Sequence, residues 1–517
     1  MSAKVVEQSI RIFQRAGGIR ADANDFLSDR FVIKEGIKLD DAVNVRKRDT
    51  QRFRHFGRDL LWKPTVQLLR GMESRKQTGA AERDEFFDGG LKKGKVNFGH
   101  EYSSTPSIDG FEMPDKKVYN GHMKINFDKI INRAGTDSSK WETIQSEKDA
   151  HIHVRADRFF GEDASIPMWI ADMDFAAPPA VVDAITARAQ HPIYGYTESS
   201  LTYDRAVADW MKSRHDWDVQ PEWILNTPGV VPALAMLVRT FLKAGDKAII
   251  QPPVYFPFPL VLESNGIEVV ENPLLFKDGR YQMDFAELEQ KARDPQTKML
   301  ILCSPHNPVG RVWTRDELAR LSEICRANDV LVISDEIHAD LTFTRFVPFG
   351  ALDENAIVCT AASKTFNLAG LANSNIIIPN KELRHQFRTY LLQNALTDTN
   401  LFGRLATEAA YTHGADWLDQ LLDYLRDTLD FMEKYFAENI PQIRMIRPEG
   451  TYLVWLDCRA LGMDATSLHR FFADRARVYL EDGSVFGTGG DGFLRMNIAT
   501  PRKVVEEALE RMKEAVG

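Results

Sequence analysis

No run of 18 or more apolar residues occurs in this 517-residue chain, which argues against a membrane-spanning helix. Cysteine is scarce. The four residues Cys303, Cys325, Cys359 and Cys458 are scattered without close pairing. That pattern excludes a disulfide scaffold and a cysteine metal knuckle, and it fits a reducing cytoplasm. No basic stripe is present and the formal net charge is −9, so nucleic acid is not an expected partner. The opening "MSAKVVEQSIRIFQRAGG" has no apolar core of the kind a secretory signal carries. Internal repeats are absent too, which removes solenoids and propellers. What is there is the balance of a globular protein, 44% hydrophobic and 27% charged, over a length that predicts two to four domains.

The chain divides by charge and texture. Residues 1–122 are net basic and the remainder is net acidic. Within the first part, "VRKRDTQRFRHFGRDLLW" reads as a basic amphipathic helix. A solvated helical face explains it most simply, and a contact with a partner is the alternative. "GGLKKGKVNFGHEYSSTPSIDGFEMPDKKVYNGH" is rich in Gly, Ser, Pro and Lys and reads as linker. Met123 opens "MKINFDKIINRAGTDSSKW", which has the look of a natural start, so residues 1–122 are expected to be a fusion, a mis-called start or a real extension.

From Met123 onward, short apolar runs alternate with amphipathic stretches. The runs at 247–253, 298–305, 330–338, 356–363 and 373–379 are rich in Ile and Val and read as buried strands. Between them, 314–328 reads as a helix with Thr314 as N-cap and Glu317 completing a capping box. Such alternation predicts an α/β fold with a large, mostly parallel sheet. A long helical stretch after about residue 400, two further strands and a last helix predict a smaller α+β domain. The expected boundaries are 1–122 for the extension, 123–165 for an N-terminal arm with part of the small domain, 166–400 for the large domain and 401–517 for the small one.

Ligands of open α/β sheets bind beyond the carboxyl ends of the strands, and the unusual residues fall there. Gly229 precedes a helix in "NTPGVVPAL", so backbone N–H groups are open to an anion. Tyr255 stands among prolines in "PPVYFPF", Asn307 lies in "SPHNPVGRVW", and Asp335 ends the apolar run of "VLVISDEIHAD". Lys364 lies in "TAASKTFNLAG", a run with no other charge, where an ammonium is expensive to bury. Taken singly, each has a plain explanation: a turn for Gly229, a loop-filling aromatic for Tyr255, turn chemistry for Asn307. His338 has no second ligand at a metal-binding spacing, so no metal is expected. Taken in order, they describe a flat, phosphorylated ligand with a ring nitrogen, a phenolic oxygen and an aldehyde that lysine captures as a Schiff base. That ligand is pyridoxal 5′-phosphate.

Residues 123–517 resemble the fold-type I pyridoxal-phosphate enzymes, and within them the MalY/PatB-like carbon–sulfur β-lyases. The resemblance rests on "NFDKIINRAGTDSSKW", "IPMWIADMDFAAPP", "YGYT", "TPGVVPAL", "PPVYFPF", "SPHNPVGRVW", "SDEIHADL", "SKTFNLAGL" and "LRMNIA", in family order. It implies an aspartate-aminotransferase-like fold with Lys364, Asp335 and Tyr255 as the catalytic set. Lys364 would carry the cofactor, Asp335 would pair with its ring nitrogen, and Tyr255 would stack on the ring. Asn307 would bind the phenolic oxygen with His338 close by. The phosphate would fall to Gly229, the N–H groups of Val230 and Val231, Ser363, and Tyr196 of a neighbouring subunit, which implies a homodimer. Arg495, which alone would read as a surface ion pair, would clamp the substrate carboxylate. Ala372 stands where many aminotransferases of this fold carry a phosphate-binding arginine. The implied reaction is α,β-elimination of cystathionine or a related cysteine S-conjugate, giving pyruvate, ammonia and a thiol. Residue inventory leaves two alternatives open. One is transamination, which shares the early steps. The other is a regulatory or interaction protein on the same scaffold.

Overall fold

The computed structural model describes residues 124–133, 135–142, 165–198, 200–397 and 400–517. The basic stretch and the linker-like stretch read within residues 1–122 lie outside these residues.

Seven strands form the central sheet: β1 (Ile224–Thr227), β2 (Lys247–Ile250), β3 (Glu268–Glu271), β4 (Thr297–Cys303), β5 (Leu331–Asp335), β6 (Ile357–Thr360) and β7 (Ser374–Ile377). Their spatial order is β1-β7-β6-β5-β4-β2-β3, and all pairs are parallel except the two made by β7. Strands buried on both faces need continuous apolar runs. Accordingly Met299, Leu300, Ile301 and Leu302 of β4 are all fully buried. Each of the five announced strands is shorter than the apolar run that announced it: 247–253 narrows to Lys247–Ile250, and 330–338 to Leu331–Asp335. In these two runs most of the trimmed residues, 251–253 and 336–338, follow the carboxyl end of the strand.

The helix between β4 and β5 runs from Arg315 to Ala327 and begins with the expected capping box between Thr314 and Glu317. Glu317 also takes a fork of bonds from Arg311, whose Nε reaches Glu449 at 2.9 Å. That arginine ties the sheet to the chain after residue 440. There, β8 (Arg444–Ile446), β9 (Leu453–Asp457), β10 (Glu481–Asp482) and β11 (Phe493–Asn497) form an antiparallel sheet in the order β8-β9-β11-β10. The 25-residue helix Ala415–Asn439 packs beside it through Leu418, Leu421, Leu425, Leu429 and Met432. Their spacing of three and four places one apolar stripe on the core, and each buried leucine contributes about 1.5–3 kcal/mol. The short strand Ile166–Pro167 pairs in parallel with Val478–Tyr479. This pairing carries the following segment, Met168–Phe175, across the mouth of the crevice. Among the described residues, no helix is long and apolar enough to cross a membrane.

Candidate active site

Asp335 is the last residue of β5 and is buried. Parallel pairing sets Cys303 of β4 and Cys359 of β6 beside it in register. Its Oδ1 accepts one backbone bond, from the N–H of Ile337 at 3.2 Å. Burial, only partly opposed by that bond and by Lys364, pushes the carboxyl up to about 7. A carboxylate this deep is expensive without a cation against it. Lys364 lies one strand further along, in the single helical turn Ala362–Thr365 that follows β6. Its Nζ donates to the carbonyl of Ala171 at 2.6 Å. Desolvation in the crevice, reinforced by Arg495 and resisted by Asp172 and Asp335, lowers the ammonium to about 8.

Arg495 enters from β11 and is buried. Its Nη1 donates to Asn307 Oδ1 at 3.0 Å, and its Nη2 donates to the Trp169 carbonyl at 2.8 Å and to Glu481 Oε2 at 3.2 Å. The guanidinium stands 4.9 Å from the centroid of Phe486, while its Nε has no acceptor. Tyr452 sends its hydroxyl to the same Ala171 carbonyl that holds Lys364, at 3.0 Å. His338 packs edge-on to the Tyr452 ring. Burial, with Lys364 and Arg495 nearby, keeps His338 neutral by holding its pKa well below the ordinary imidazole range. Its Nδ1 is buried without a partner. Tyr255 is raised by burial and faces the charges of Arg495, Asp335 and Glu481.

At the far end of the crevice, Gly229 is the N-cap of the helix Val230–Phe241, with φ 147° and ψ 162° and no side-chain cap. That backbone conformation belongs to glycine. It leaves the first N–H groups of the helix, those of Val230 and Val231, at a terminus suited to an anion. Ser363 is half-buried beside Lys364. Ala372 adopts a left-handed backbone at φ 47° after the turn Ala369–Leu371. Tyr196 is fully exposed and makes none of the contacts that join the other predicted residues.

Three participants escaped the sequence reading: Glu481, Tyr452 and Asn497. Asn497 donates to the carbonyls of Ile170 and Asp172, both at 2.6 Å. The carbonyls of residues 169–172 thus act as a rack for Arg495, Lys364, Tyr452 and Asn497. The rack is anchored from behind. Lys140 Nζ meets Asp174 Oδ2 at 2.8 Å, both buried, and Arg133 forks onto Asp172 at 3.1 and 2.9 Å. Backbone acceptors leave no side-chain signature, and the anchoring acids of "ADMDF" show in the sequence only as part of a motif of the resemblance.

These groups fit pyridoxal 5′-phosphate. A buried carboxyl has no ion-pair partner among the described residues, a helix start lacks a side-chain cap, a lysine ammonium is lowered to about 8, and two buried nitrogens, Arg495 Nε and His338 Nδ1, lack hydrogen-bond partners.

Comparison with known proteins agrees. The family model described as aminotransferase class I and II matches residues 166–512. Cystathionine beta-lyase PatB of Bacillus subtilis is 41% identical over 398 residues, covering 76% of this chain and 100% of that protein. Protein MalY of Escherichia coli is 30% identical over 397 residues, 76% of this chain and 99% of MalY. The crystal structure of cystalysin from Treponema denticola, which contains a pyridoxal 5′-phosphate cofactor, superposes with a TM-score of 0.70 at 37% identity. It covers 76% of this chain and 99% of cystalysin. The PLP-bound C–S lyase of Staphylococcus hominis does so with a TM-score of 0.69 at 34% identity, covering 76% of this chain and 98% of that one. This chain belongs to the aminotransferase class I and II family, and within it to the group of PatB and MalY.

Proposed function

We propose that the protein is a pyridoxal-phosphate-dependent carbon–sulfur β-lyase that cleaves cystathionine or a related cysteine S-conjugate to pyruvate, ammonia and a thiol. The observation that carries this reading is the meeting, in one crevice, of a lysine lowered to about 8, a buried carboxyl with no ion-pair partner among the described residues and a buried arginine with an open Nε. Kinship with PatB, itself a cystathionine beta-lyase, selects the reaction.

When bound, the cofactor supplies the electron sink that makes a substrate Cα proton removable. Asp335, as carboxylate, would hold a proton on the ring nitrogen. Tyr255 would stack on the ring, and Asn307 would bind the phenolic oxygen with the neutral His338 close by. The N–H groups of Val230 and Val231, opened by Gly229, would hold the phosphate with Ser363. Arg495 takes the substrate carboxylate and fixes the Cα–H bond relative to Lys364. Lys364 Nζ releases the Ala171 carbonyl, removes the Cα proton and returns it to the departing sulfur as the Cβ–S bond breaks.

The large domain spans 166–400 and supplies the cofactor residues. The small domain of 401–517, joined by the arm 123–165, supplies Arg495, and residues 1–122 are a separate N-terminal extension or fusion. The working form is a homodimer in the cytoplasm. Its partner's Tyr196 reaches the phosphate, which gives a role to a tyrosine otherwise left fully in solvent. Four free thiols support a reducing compartment.

Incubation with cystathionine is expected to give pyruvate and free thiol in equal amounts without addition of a keto-acid acceptor. Amino transfer that depends on an added keto acid, without thiol release, would move the protein to the aminotransferases.

A further inference from the structure

Glu481 has no place in the reaction just described, yet it sits on the residue that receives the substrate. It belongs to β10, which pairs with β11 so that Glu481 lies directly opposite Arg495. Its Oε2 accepts from Arg495 Nη2 at 3.2 Å, and the pair is shielded, with side-chain exposures of 17% and 3%. A carboxylate that binds an arginine side-on needs Nε and Nη2 together. Nε is open, and Nη2 is shared between Glu481 and the Trp169 carbonyl.

We propose that Glu481 is a resident counter-ion that competes with the substrate carboxylate for Arg495, so that substrate binding requires Glu481 to take up a proton or give way. The proposal rests on Arg495 as the substrate-carboxylate site. Two carboxylates cannot both stay ionised against one buried guanidinium without a penalty from like charge and desolvation. Burial already favours the protonated form of Glu481, with Asp482 adding to it and Arg495 opposing. Other titratable groups face it as well. Tyr255 contributes from the loop after β2. The helix Ala465–Arg470 packs against β10 and brings His469, whose Nε2 lies 3.2 Å from the Leu480 carbonyl.

Glu481 therefore makes the site accept amino acids more weakly as pH rises. It also keeps Arg495 from being filled by simple carboxylates at neutral pH. Glu481→Gln retains shape and hydrogen bonding while removing the charge.

The test measures KM and kcat for cystathionine from pH 6 to 9 on the cofactor-loaded protein. It also measures binding of propionate to the cofactor-free protein by calorimetry, for the wild type, Glu481→Gln and Arg495→Met. For Glu481→Gln, the expected result is a KM lower by about tenfold at pH 8.5, a figure equivalent to one pH unit of competition. The rise of KM with pH should flatten, kcat should move less than KM, and propionate should bind more tightly. A KM that rises in Glu481→Gln, or a pH dependence of KM and propionate binding equal to wild type, overturns the counter-ion role. Propionate binding unchanged in Arg495→Met instead overturns the assignment of Arg495, so the two failures are distinct.

Discussion

Replacing Asp335 by asparagine removes the ionisable group whose burial links cofactor binding to pH. Burial raises the carboxyl from 3.8 to about 7 in the protein without cofactor. At 1.36 kcal/mol per pH unit, that shift is worth ~4 kcal/mol. The sign follows from proton linkage. The folded, cofactor-free protein holds this proton more tightly than the unfolded chain. Its contribution to stability is therefore complete below about pH 4 and is lost as pH rises through about 7. A protonated ring nitrogen against the carboxylate cancels that loss. The gap in unfolding free energy between cofactor-loaded and cofactor-free protein should then widen by about 2–3 kcal/mol from pH 5 to 7 and level off near pH 8. Glu336 is raised to about 8, mainly by burial, and works in the same direction. It is present in both forms and drops out of the difference. Urea unfolding of both forms at pH 5, 6, 7 and 8 measures the gap. In Asp335→Asn the widening of about 2–3 kcal/mol contributed by this carboxyl should be absent. A wild-type gap that stays flat, or one that widens equally in the variant, refutes the role given to Asp335.

Three other outcomes are expected. Lys140→Met leaves the buried Asp174 carboxylate with Arg133 as its remaining cation and should lower unfolding stability by about 3 kcal/mol, the low end for a broken buried pair. A loss below about 1 kcal/mol in urea titration, the range of exposed pairs, would show that the anchor is not needed. Arg495→Lys replaces a planar fork with a point charge. It should raise KM for cystathionine by roughly 10–100-fold, the worth of one charge-assisted bond, with a smaller change in kcat. Gly229→Ala places a Cβ 3.4 Å from Pro232 Cδ on a backbone at φ 147°. It should weaken cofactor binding, read from the concentration needed to restore the visible absorbance, and destabilise the protein by about 1–3 kcal/mol.

Five strands of the sheet were legible because they are buried on both faces, whereas the more exposed edge strand Glu268–Glu271 was not. Runs such as 298–305 carry almost nothing but apolar side chains, and the capping box of Thr314 and Glu317 is a local signal that tertiary packing did not override. The cofactor residues were legible for the same reason in reverse. Asp335 and Lys364 are charges in apolar surroundings, and their oddness shows in the bare sequence. Glu481 was not legible. It lies 14 residues before Arg495, and only the antiparallel register of β10 and β11 brings the two side by side. Tyr452 reads as one more aromatic before a strand until its hydroxyl is seen on the Ala171 carbonyl. The carbonyl rack of residues 169–172 has no sequence signature, because every residue owns a carbonyl and only the fold decides where it points.

The most direct measurement is to load the protein with pyridoxal 5′-phosphate, reduce it with borohydride, digest it and weigh the peptides. The expected result is the cofactor's added mass on the peptide containing Lys364, on that peptide alone, and its disappearance in Lys364→Ala. Added mass on a different lysine, or none on any, contradicts the assignment of Lys364 as the residue around which the crevice is built.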